Sequence, residues 1–141
     1  MKTKTIILEL DHEDLENLFS TGLYGSNYLD ADYVQNEDLA DYECFEDKLA
    51  KSVLAGRAIT FRDMYAEGCV YGNLPHEIED SDDEVVSYRV TLEDIKRGLE
   101  KAADTCPWAF RAFADEDSPN WDYYAGDALL QIIIFGELIY G

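Results

Sequence analysis

A chain of 141 residues with 47% hydrophobic and 13% aromatic content is sized for one domain around one core and is too apolar to be disordered. Thirty-one acidic against eleven basic residues leave a net charge of −20, which repels nucleic acid and anionic membranes and points to basic partners. Its three cysteines, Cys44, Cys69 and Cys106, are widely spaced with no CxxC pair, which argues against a disulfide framework or zinc site and suits buried reduced thiols in a cytoplasmic protein.

The basic start "MKTKTIILELDHED" carries too short an apolar run for a signal peptide or anchor. Residues 3 to 10 read as a strand. Asp11 is placed to cap a short helix, "DHEDLENLFSTGL", with Leu15, Leu18 and Phe19 on one side. Residues 22 to 36 read as an ordered loop with a short strand from Tyr28 to Val34, and Gly22, Gly25, Gly68 and Gly72 read as turn glycines. Residues 38 to 55 predict a second helix with Leu39, Tyr42, Phe45, Leu49, Val53 and Leu54 inward and Gly56 as its stop.

"RAITFRDM", "AEGCVYGNL" and "EVVSYRVTL" predict three strands, with an acidic stretch between the last two. Thr91 with Glu93 and Asp94 predicts a capping box opening the helix "LEDIKRGLEKAA", in which Leu92, Ile95, Leu99 and Ala102 face inward. Pro107 opens a further helix, "PWAFRAFADE". A final helix from about Trp121 to Ile139 is apolar enough to be central, but Gln131 and Glu137 interrupt its apolar run, which is too short for a bilayer. With no repeat or linker, the chain predicts a single compact α+β domain over 1–141, a small antiparallel sheet packed with four to five helices.

The chemistry is mostly argued by elimination. An EF-hand loop counted from Asp80 has Val85 where the glycine belongs and Thr91 where the glutamate belongs. A looser divalent site at Asp80 to Glu84, or at Asp30 and Asp32, stands beside the plainer reading of a solvated hairpin tip. His12 and His76 each sit beside carboxylates with no histidine, cysteine or serine at ligand or triad spacing, so both are expected to be exposed. Nucleophile elbows, phosphate-cradling loops and dinucleotide fingerprints are missing from the sequence. No enzyme activity, cofactor or metal is expected.

What is left is charge placement. From Glu9 to Asp47 there are thirteen carboxylates and no lysine or arginine, and Glu77 to Glu84 adds six in eight residues. Pairs such as Asp38 with Asp41 and Glu43 with Asp47 set like charges a helical turn apart, an arrangement that costs roughly 0.2–0.5 kcal/mol per pair. A basic surface would relieve that repulsion on binding. Carboxylates about 5.4 Å apart along helices imitate the dense negative field of a nucleic acid. Tyrosines interleaved with acids, as in "LYGSNYLDADYVQNEDLADYE", fit either an interface or a core.

The segments "VYGNLPHEI", "VTLEDIKRGLEKA" and "GDALLQIIIFGELIYG" resemble blocks of small accessory proteins of phages and conjugative elements from gut bacteria, over much of residues 69 to 141. The resemblance implies a genetic setting in which small acidic proteins include anti-restriction and anti-CRISPR proteins, several of which imitate DNA. It transfers no catalytic or ligand residue. The expectation is therefore a non-enzymatic acidic mimic in the host bacterial cytoplasm. It would occupy the basic nucleic-acid-binding surface of a CRISPR effector or restriction enzyme and bind neither nucleic acid nor membrane itself. The residues expected to touch that partner are Asp30, Asp32, Glu37, Asp38, Asp41, Glu43, Asp47, Glu79, Asp80, Asp82, Asp83 and Glu84, with "DEDSPNWD" near the C-terminus as an extension of the same face. The alternative is an interaction module whose acidity serves solubility only.

Overall fold

Two aspartates open the first helix. Asp11 Oδ1 accepts from the Asp14 amide at 2.8 Å, and the Asp11 amide donates to Asp14 Oδ2 at 3.1 Å, a reciprocal cap that satisfies two of the helix's orphan donors. The computed structural model describes residues 9–26, 28–33, 44–65, 77–80, 86–115 and 119–140. Its elements are α1 (His12–Gly25), β1 (Leu29–Tyr33), α2 (Phe45–Leu54), β2 (Ile59–Asp63), β3 (Glu77–Asp80), β4 (Val86–Val90), α3 (Leu92–Thr105), α4 (Pro107–Ala114) and α5 (Tyr123–Phe135).

The strands form one antiparallel sheet in the order β1-β2-β4-β3, and with the five helices of the described residues the class is α+β. Period-2 alternation turns Ile59, Phe61 and Asp63 of β2 and Val86, Tyr88 and Val90 of β4 to the buried side. Thr60, Arg62, Ser87 and Arg89 occupy the other side. Leu15, Leu18 and Phe19 of α1, Leu49 and Val53 of α2, and Ile95, Leu99 and Ala102 of α3 join the sheet residues in one core cluster.

Helix α5 runs through the middle of that core. Ten of its thirteen residues are buried, as expected of a helix apolar on all sides. Its neighbours approach closely because they meet it at glycines. A Cβ on Gly126 would stand 2.7 Å from the Gly22 amide nitrogen, and one on Gly98 of α3 would stand 2.6 Å from Ile133. Helix α5 ends at Gly136, whose φ of 82° is the left-handed conformation that a helix stop favours. Among the described residues no helix is long and apolar enough to cross a membrane.

Several expectations need correction. Gly22 and Gly25 lie inside α1, which runs two residues past Leu23, and they serve close helix packing, not turns. Helix α5 is shorter than Trp121 to Ile139 because Gly136 turns the chain back. The first half of the acidic stretch is strand β3, at the edge of the sheet; one apolar residue, Ile78, in four gave no alternation to read. On α2, Phe45 and Leu54 are exposed whereas Asp47 is buried. The described helix starts with Phe45 in its first turn, and its inward residues are Leu49, Ala50 and Val53. Cys44 is exposed, and only Cys106 of the two described cysteines is buried, with its thiol pushed above the usual range by that burial. Of the expected strand at residues 3 to 10 only Glu9 and Leu10 are described, and neither is in a strand; the expected strand at 66 to 74 and the helical start at 38 to 43 lie outside the described residues.

Candidate functional site

The acids chosen from the sequence fall into separate places. Asp30 and Asp32 lie on β1 and Glu79 and Asp80 on β3, the two opposite edges of the sheet. Three interstrand steps of roughly 4.8 Å separate those edges, so the two groups do not adjoin as one continuous strip. Register divides them further. Glu79 stands opposite Ser87, and Asp80 opposite Val86. Asp30 stands opposite Arg62 and binds it, Arg62 Nη2 donating to Asp30 Oδ2 at 2.6 Å. Glu37, Asp38, Asp41, Glu43, Asp82, Asp83 and Glu84 lie outside the described residues.

Asp47 is not a solvated acid. Its Oδ1 is hydrogen-bonded to His12 Nε2 on α1 and its Oδ2 lies 3.1 Å from Lys51 Nζ one turn along α2. His12 Nδ1 in turn lies 3.5 Å from Glu16. The histidine, expected to be merely exposed, is half-buried and joins α1 to α2. The ligand atoms of His12, Glu16 and Asp47 lie within 4.8 Å of one another, the one such grouping among the described residues. Its geometry does not fit a formed metal centre. Imidazole lone pairs diverge, so an ion held by Nε2 and Asp47 leaves Glu16 on the far edge of the ring, and the Lys51 ammonium repels a cation from Asp47. The group is a polar clasp between two helices.

A second polar group lies deeper. Ser26 Oγ donates to Asp127 Oδ1 at 2.5 Å, Tyr28 OH donates to the same oxygen, and Gln131 Nε2 donates to Asp127 Oδ2 at 3.1 Å. Gln131 also binds the chain after α5: its Oε1 accepts from the Ile139 and Tyr140 amides at 2.7 and 2.8 Å, and its Nε2 donates to the Tyr140 carbonyl at 3.0 Å. The Tyr140 ring lies 4.2 Å from that of Tyr28, and its hydroxyl reaches the buried Asp63. Burial, then Asp127, push the Tyr28 hydroxyl's pKa well above the usual range. These groups line neither groove described below. They tie the C-terminal residues to the sheet.

The site that remains is at the surface. A groove of about 610 Å³ is bounded by the end of α1, β1, the start of α2 and the start of α5. Its carboxylates, Asp30, Glu46 and Asp122, come from three separate parts of the chain, and its aromatic walls are Tyr24, Tyr123 and Phe45. No lysine or arginine is among its described lining residues. Tyr24 is 82% exposed, with its ring 5.9 Å from that of Tyr123. The Tyr123 ring lies 4.8 Å from that of Tyr124, tilted to it by 39°, and Asp122 and Tyr124 continue into a second groove of about 760 Å³ beside Trp108 and Asp115. Tyr28 and Tyr88 are core, while Tyr24, Tyr65, Tyr123 and Tyr124 are exposed.

Asp122 belongs to the acidic stretch "DEDSPNWD" that the sequence offered as an extension, and it is this residue, not Asp47, that joins Asp30. Glu46, Tyr24 and Tyr123 were missed as site residues. The helical phase of α1, which buries Leu15, Leu18, Phe19 and Gly22, leaves Tyr24 outside and could have marked it. No family model, curated protein or solved structure matches the chain.

Proposed function

We propose that this protein is a non-enzymatic inhibitor that presents an acidic, aromatic surface to the basic nucleic-acid-binding surface of a bacterial defence protein, a CRISPR effector or a restriction enzyme, in the cytoplasm of the host. The observation that carries this reading is the convergence of Asp30, Glu46 and Asp122 on one groove with exposed tyrosines, on a chain of net charge −20. Exposed Glu9, Asp11 and Glu13 at the start of α1 add to the negative field. Carboxylates repel phosphate and attract lysine and arginine, while exposed aromatic rings give contact area at small entropic cost.

The exposed Trp108 and Tyr124 also suit the second reading, an interaction module whose acidity only keeps it dissolved. Expression in bacteria that carry one defined CRISPR or restriction system each separates the two. The inhibitor restores plating of a targeted phage in at least one strain, and the purified protein displaces labelled duplex DNA or guide RNA from that system's enzyme. Unchanged plating in every strain, with no displacement in vitro, contradicts it.

A further inference from the structure

The groove between the ends of α1 and α5 has a narrower chemistry than the acidic surface around it. Resting on the function just proposed, we infer that this groove receives an arginine side chain from the partner's basic surface, its guanidinium lying against Tyr24 and Tyr123 and bonded by Asp122 and Glu46.

Charge decides the sign of the ligand. Three carboxylates stand at the groove, and although Asp30 is paired with Arg62, Glu46 and Asp122 leave it negative, so an anion or a phosphate is repelled. Surface decides its type. Tyr24 and Tyr123 leave ring area exposed that the core does not use, and the electron-rich face of an aromatic ring attracts a cation. Arginine fits both better than lysine does. Its planar, weakly hydrated fork stacks on rings and meets carboxylates in a bidentate way, whereas an ammonium is a compact, strongly hydrated charge. The wall of the groove already holds such a pair within the chain, Arg62 on Asp30 at 2.6 Å. A space of about 610 Å³ falls within the roughly 300–1,000 Å³ of clefts that bind small groups.

The test uses the full-length protein, ¹⁵N-labelled, titrated with the peptide acetyl-Gly-Arg-Gly-Arg-Gly-amide and with its lysine and citrulline counterparts. The arginine peptide should give saturable amide shifts confined to the neighbourhoods of Tyr24, Glu46 and Asp122; the lysine peptide should bind several-fold more weakly, and the neutral citrulline peptide should give none. Tyr24→Ala and Asp122→Asn should each weaken the arginine peptide about fivefold. Asparagine caps a helix as well as aspartate does, so circular dichroism should show α5 intact. Equal binding of arginine and lysine peptides, or shifts spread over the carboxylates of α3 as well, would overturn the assignment. The two levels of the account fail separately. Arginine peptide in the groove without displacement of nucleic acid removes the inhibitor and leaves this site. Displacement that survives both substitutions, with no peptide bound, removes this site and leaves the inhibitor.

Discussion

Tyr140 holds Asp63 from the far end of the chain: its hydroxyl stands 2.9 and 2.7 Å from the two carboxylate oxygens. Asp63 is fully buried, and burial raises its pKa although Tyr140 and the Tyr65 amide bind the ionised form. The folded state therefore holds this proton more tightly than the unfolded chain does. Stability contributed by Asp63 is present below the ordinary carboxylate range and falls as pH rises through the raised value. In urea unfolding from pH 3.5 to 7, the stability of the parent relative to Asp63→Asn should fall as pH rises; a constant difference would mean that Asp63 titrates normally. Tyr140→Phe, which strips a buried carboxylate of its hydroxyl donor, should cost about 1–3 kcal/mol at pH 7 and less in acid.

The crossing of α1 and α5 gives a second test. Replacing a helical glycine with alanine ordinarily gains up to about 1 kcal/mol. At Gly126 the new Cβ would lie 2.7 Å from the Gly22 nitrogen and 2.9 Å from its Cα, backbone atoms that cannot rotate away. Gly126→Ala should therefore lose about 1–3 kcal/mol by overpacking. Gly22→Ala meets mainly the Leu130 side chain, which can shift, and should cost less. Urea midpoints in the reverse order would mean that the helices are farther apart than described.

How much of this was legible depended on the range of the interaction. Capping by Thr91 and Asp94, the proline start at Pro107 and the inward phase of Leu15, Leu18 and Phe19 are set within a few residues, and the sequence displays them. The burial of Asp47 depends on His12, thirty-five residues away, and Asp127 is bound by Ser26 and Tyr28, 101 and 99 residues away. Local spacing carries no trace of such partners. The same limit hid the groove, since Asp30, Glu46 and Asp122 read as three unrelated acids until the fold brings them together.

Asp47 shows the consequence for mutagenesis. Asp47→Ala leaves His12 and Lys51 without their shared anion, and since both are partly solvated the loss should be modest, about 1–2 kcal/mol. Asp47→Lys should cost more. Charge reversal at this residue therefore reports folding before it reports binding, whereas Glu46 stands outside these contacts and Asp122→Asn keeps the cap that Asp122 gives α5. Calorimetry with zinc or manganese should show no one-to-one site tighter than about 10⁻⁴ M; a tight site lost in His12→Ala would show that the clasp opens to admit an ion.

Net charge acts on the whole fold. With −20 at neutral pH, screening should relieve self-repulsion, and the melting temperature should rise between about 10 and 150 mM salt as the Debye length falls from roughly 30 to 8 Å. A flat curve would mean that the carboxylates are paired or dispersed beyond mutual reach.

Competition at the nucleic-acid site of the defence enzyme identified by plating bears most directly on the proposed function. Labelled duplex DNA or guide RNA is bound to the purified enzyme, the acidic protein is added at rising concentration, and displacement is followed by anisotropy at about 50 and 200 mM salt. The account predicts complete, saturable displacement, with slower association at the higher salt and a marked loss of potency in the Glu46→Lys, Asp122→Asn double variant. Binding of the protein while the nucleic acid stays in place, or displacement indifferent to both substitutions and to salt, would contradict it.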